Sequence, residues 1–110
     1  MRVRVSSTAT GTKIGPLMLS DPTPVVTTYS MRTDDEFVLA DATAGAFTIT
    51  LPDVTLDVRP FYVVKKVDGV ATVKIDGNGS QTIDGAADLD LTIQWESALL
   101  VHNGAAWYTA

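Results

Sequence analysis

Three features of the sequence predict an all-β fold. Apolar and polar side chains alternate in short runs, turn residues recur about every eight to twelve positions, and no segment sustains a helical period. The architecture they imply is a small antiparallel β-sandwich or barrel-like body, residues 33–110, preceded by an extended N-terminal arm, residues 1–32.

The arm is rich in Thr, Ser and small residues, and Pro16, Pro22 and Pro24 are spaced so that no helix runs more than a few residues. Its start, MRVRV, alternates apolar and basic side chains as one strand would, with Met1, Val3 and Val5 on one face. An apolar patch follows at Ile14, Leu17, Met18 and Leu19, the kind of cluster that another chain covers when it is exposed. The expected partner-binding residues are therefore Arg2, Val3, Arg4, Val5, Ile14, Leu17, Met18 and Leu19. The alternative at this level is that the segment folds back on its own body as an edge strand.

In the body, Phe37 and Leu39 open a strand that ends at Asp41, and the DATAG turn follows. Phe47, Ile49 and Leu51 then share a face until Pro52 ends the ladder. FYVVKKV is apolar on both faces at its start, so it reads as central there and exposed at Lys65 and Lys66. Asp68 and Gly69 signal a hairpin into ATVKID. DGNGS is a turn, with positive φ expected at Gly77 and Gly79, and QTID a brief strand. Leu89, Leu91, Ile93 and Trp95 give the cleanest alternation, and Asn103 and Gly104 mark a closing hairpin between ALLV and AWYT. Residues 53–58 have room for one helical turn. The expected core is Phe47, Ile49, Leu51, Val63, Val73, Ile75, Leu91, Ile93 and Trp95.

A chain of 110 residues, 45% of them apolar, is expected to be one domain with a small core that gains from association. The lack of cysteine excludes disulfides, thiolate metal sites and cysteine nucleophiles. No signal-peptide pattern and no apolar run of membrane-spanning length is present, so neither export nor a membrane partner is expected. Charge is unevenly distributed. Residues 1–32 carry Arg2, Arg4, Lys13 and Arg32 against Asp21 alone, net +3, whereas residues 33–110 carry four cations against twelve carboxylates, net −8. The basic charge is too dilute for nucleic acid and suits an acidic protein surface better.

The run EFVLADATAGAFTITLPD, followed by YVVKKVDGVATVKIDGNGSQTIDGAADLDLTIQWESALLVHNGAAWY, resembles a β-module that recurs in tailed-bacteriophage virion proteins, among them fibre, tail and head-decoration proteins. The likeness spans about residues 33–109. It rests on the LADATAG turn, the TITLP strand end, the KKVD and IDGNGS turns, the TIDGA that follows, and a terminal NG turn before Trp and Tyr. It implies a non-enzymatic, often trimeric structural protein of the virion, made in the host cytoplasm. No fibre-like shaft is encoded. A capsid decoration or cement protein at the capsid surface, clamping major capsid subunits through its arm, is the reading preferred here. The alternative is a tail-fibre or baseplate module that binds host-surface glycan.

Other constellations are weaker. Asp76, Asn78, Ser80 and Asp84 occupy calcium-loop positions one, three, five and nine, but Gln81 and Ala87 stand where Gly and Glu belong. His102 is the sole histidine, so one chain assembles neither a His-based metal site nor a serine triad. Asp84 and Asp88 are an unremarkable pair of turn carboxylates. No catalytic residue, metal or cofactor is expected. Trp95, Trp107, Tyr108 and Tyr62 are the candidates for sugar stacking, with Trp95 read as core and Trp107 as the more exposed.

Overall fold

The computed structural model describes residues 21–55 and 61–110. Among them are nine strands and no helix: β1 (Thr23–Val25), β2 (Tyr29–Ser30), β3 (Phe37–Ala40), β4 (Phe47–Thr50), β5 (Phe61–Lys66), β6 (Val73–Asp76), β7 (Asp88–Leu91), β8 (Ser97–His102) and β9 (Trp107–Thr109). They form a five-stranded sheet, β1-β3-β5-β8-β9, and a four-stranded sheet, β2-β4-β6-β7. The sheets enclose one core, so the chain is all-β and sandwich-like, as the alternation predicts.

The pairing differs from the antiparallel expectation. β1, β3 and β5 are mutually parallel, as are β2, β4 and β6. β7, β8 and β9 alone run antiparallel to their neighbours. The cause is that the strands from β1 to β6 alternate between the two sheets. A chain that crosses over after every strand returns to its first sheet running in the same direction, and tight hairpins have no place in such winding. Two successive windings match residue for residue: Phe37 pairs with Val63 and Phe47 with Val73, an offset of 26 in both sheets.

The expected Asp68–Gly69 hairpin is accordingly an arc between sheets. Asp68 Oδ2 accepts the N–H groups of Val70 (2.8 Å) and Ala71 (3.2 Å), while Oδ1 accepts Ala42 N–H (2.8 Å) from the arc before it. The residue types that signal a hairpin also suit this side-chain-built turn. Lys66, expected at the surface, is fully buried. Tyr62, Val64 and Lys66 share the inner face of β5, and the Lys66 Nζ donates to the Asp68 carboxylate (2.8 Å) and the Asp68 carbonyl (2.7 Å).

Seven of the nine expected core residues are buried: Phe47, Ile49, Leu51, Val63, Val73, Ile75 and Leu91. Ile93 and Trp95 are instead 67% and 59% exposed. Glu96 Oε1 accepts the N–H groups of Thr92 (2.8 Å) and Ile93 (3.2 Å), which ends β7 at Leu91 and turns the chain toward the other sheet. The letters go on alternating after the strand has stopped. Trp107, expected to be the more exposed tryptophan, is fully buried on β9, edge-on to Tyr62 and His102 with centroids 5.6 and 5.1 Å away. QTID contributes only single bridges from Ile83 to Ala86 and Trp107.

Within the stretch read as arm, residues 21–32 belong to the body. β1 pairs with β3, β2 pairs with β4, and Val25 and Met31 are buried. Asp35 ties these strands down by accepting from Tyr29 Oη (2.6 Å), Arg32 N–H (2.8 Å) and Thr23 Oγ1 (3.3 Å). Burial, reinforced by the bond to Asp35 and its charge, pushes the Tyr29 phenol up to about 12.

Candidate interaction surface

The eight expected partner-binding residues, Arg2 to Val5 and Ile14, Leu17, Met18 and Leu19, lie outside the described residues. Within the body, the parallel course of β1, β3 and β5 gathers the arcs that follow them, residues 26–28, 41–46 and 67–72, at one end of the sandwich. β8 is antiparallel to β5, so the turn before it, residues 92–96, arrives at the same end. Four exposed apolar side chains project from these connections: Val26, Val70, Ile93 and Trp95. No single run of sequence carries them. They share one end of the sandwich only because the winding brings their arcs there.

This end is built rigidly. Trp95 N–H donates to the Lys66 carbonyl (2.8 Å), Lys66 N–H to the Glu96 carbonyl (2.8 Å), and Gln94 Nε2 to the Val67 carbonyl (3.2 Å). Beneath them, burial alone would raise the Asp68 carboxyl. Its bonds from Lys66 and from the N–H groups of Ala42, Val70 and Ala71 outweigh that effect and hold it well below the usual carboxylate range. Trp95 takes a left-handed backbone, φ 72°, which is costly for a large side chain. Its ring nevertheless faces solvent, with Lys65 Nζ 6.0 Å from the centroid.

The opposite boundary of the four-stranded sheet, β7, is the second feature. Leu89 and Leu91 face inward, and with Ala98, Leu99, Ala110 and the polar Glu96, Ser97 and Thr109 they line an open cleft of about 260 Å³. Asp88 and Asp90 lie on the outer face beside Lys74, whose Nζ is 3.6 Å from Asp88.

The calcium-loop residues are engaged separately. Asn78 Nδ2 donates to the Leu51 carbonyl (3.3 Å), and Asp84 accepts Thr109 N–H (3.0 Å) and the Thr109 hydroxyl, which lowers its carboxyl from the ordinary value. Among the described residues, no group of three or more His, Asp or Glu side chains is placed to hold a metal ion. His102 Nδ1 accepts Gly104 N–H (3.2 Å). Of the four residues considered for sugar stacking, Tyr62 and Trp107 are core and Trp95 and Tyr108 are exposed. Comparison with protein-family models and with curated proteins finds no match to this chain.

Proposed function

We propose that this chain is a non-enzymatic structural protein of a tailed-bacteriophage particle, a capsid decoration or cement protein that associates as a trimer on the capsid surface. The observation that carries the reading is the ordered succession of turn and strand motifs over residues 33–109, which resembles the β-module of such virion proteins. A body with exposed apolar side chains at one end suits the role, since such groups favour contact with another surface. Residues 1–19 act as the clamp. Ile14, Leu17, Met18 and Leu19 supply most of the burial against major capsid subunits, while the net positive charge of the arm aids approach to an acidic surface. Exposed ion pairs add only about 0–1 kcal/mol each, so raised salt weakens attachment only in part. The test is rebinding to particles stripped of the protein: full-length chain decorates them, and the chain lacking residues 1–19 stays folded and does not. Undiminished binding by the truncated chain refutes the clamp.

The second reading, a tail module that binds host glycan, is favoured by one observation, the exposed ring of Trp95 on its strained backbone. Retention of the protein on immobilised host polysaccharide, lost in Trp95→Ala, would support it over the first.

A further inference from the structure

The free strand edges of the body differ in how they are protected. At the β1 edge, the Val25 carbonyl accepts Asp41 N–H, so Thr23 and Val25 turn their backbone groups toward β3 and Pro24 turns outward. Proline has no N–H, which blunts that edge. β2 is two residues long. At the β9 edge, Trp107 N–H donates to the Thr82 carbonyl and Asp84 N–H to the Trp107 carbonyl, so residues 82–84 cover it. β7 has no such cover among the described residues. Gly77 N–H bonds the Ala87 carbonyl, which sets the alternation of the β6–β7 ladder. Leu89 and Leu91 therefore bond β6, and the backbone groups of Asp88 and Asp90 point away from the sheet.

This edge is also selective. A second β7 laid beside it sets aspartates against aspartates, whereas a strand with cations at alternate positions is attracted. On the inner side of the same edge the Leu89 and Leu91 side chains line the cleft, so apolar residues on a matching strand's other face gain burial against them. Residues 1–5 have that pattern: Arg2 and Arg4 on one face, Met1, Val3 and Val5 on the other.

We propose that residues 1–5 of one copy add as a strand to the β7 edge of a second copy, with Arg2 and Arg4 beside Asp88 and Asp90 and the apolar side chains over the cleft. The inference rests on the reading of residues 1–19 as a donated arm, and it names the acceptor for the first part of that arm. Reach is sufficient, because the fifteen residues from 6 to 20 span up to about 50 Å when extended. The described chain begins next to β1, the edge of the five-stranded sheet, and passes directly into β2, the edge of the four-stranded sheet opposite β7. The described chain thus starts at the edge opposite the acceptor, so donation to a second copy sets up a head-to-tail relation that closes into a ring when the rotation permits.

Amide hydrogen exchange of the full-length protein, read by NMR across a concentration series, tests the proposal. The N–H groups of Asp88 and Asp90 should exchange more than about tenfold more slowly as the oligomer forms, and freely in the chain lacking residues 1–5, which should sediment as a monomer. Arg2→Asp with Arg4→Asp should abolish association, as should Asp88→Arg with Asp90→Arg, and the four substitutions together should restore it. Protection that is independent of concentration in a monomer would mean the strand docks on its own chain and would overturn the proposal. Free exchange at Asp88 and Asp90 in the oligomer would overturn it too. If particle binding is still lost on deletion of residues 1–19, the clamp stands and only this acceptor falls.

Discussion

Lys66 and Asp68 are the residues on which the arc end of the body depends most. Both side chains are buried, and the carboxylate also satisfies three backbone N–H groups from two arcs. Asp68→Ala should therefore cost about 3–5 kcal/mol in urea unfolding at pH 7, because it leaves a buried ammonium without its counter-charge. The pH dependence has a definite sign. The folded carboxyl titrates below its unfolded value of about 3.9, so its stabilisation is complete above that value and is lost as pH falls through about 4 and below. Asp68→Asn should flatten that acid limb of the stability profile, which chemical denaturation between pH 2 and 7 would read. Ile93 and Trp95 give the opposite case. Ile93→Asp, costly had the residue been core, should change stability by no more than about 0.5 kcal/mol at its exposed position. Trp95→Gly should stabilise the body by about 1 kcal/mol by relieving the left-handed backbone. The blue-shifted emission of buried Trp107 should remain after that substitution.

Most strands from β3 onward were legible in the sequence, but β1 and β2, placed in the arm, and the connections were not. Alternation at Phe47, Ile49 and Leu51 or at Val73 and Ile75 reports that a segment is a half-buried strand, and it is silent on which sheet the strand joins. Asp68–Gly69 serves a hairpin and an arc equally well, so the parallel winding could not be read from it. The alternation through Ile93 and Trp95 misled because a side-chain cap from Glu96, three or four residues later, ends the strand without any change in pattern. For the same reason the placement of Val26, Val70, Ile93 and Trp95 at one end was not legible: topology sets it across some 70 residues of chain. The Gly77 turn shows a finer difference. Gly79 has φ 59° and open space around it, whereas Gly77 is needed because a Cβ there would meet the Gln81 carbonyl oxygen at 2.0 Å. Gly77→Ala should cost about 1–3 kcal/mol through backbone displacement, and Gly79→Ala about 1 kcal/mol through its φ alone; thermal or urea unfolding would rank them.

As a whole molecule, the sequence joins an acidic body to a basic N-terminal segment that carries the alternating MRVRV pattern and the apolar patch at Ile14, Leu17, Met18 and Leu19, and the proposed function assigns both to contact with other subunits. Sedimentation equilibrium at micromolar concentration should show a trimer, and removal of residues 1–5 should dissociate it. The most direct test of the structural role is cryo-electron microscopy of the native particle, with density assigned to this chain. The proposed function requires body density on the outer surface of the head lattice, with residues 1–19 running onto neighbouring subunits. Density for the chain only at the tail tip, or none on the particle, would contradict it.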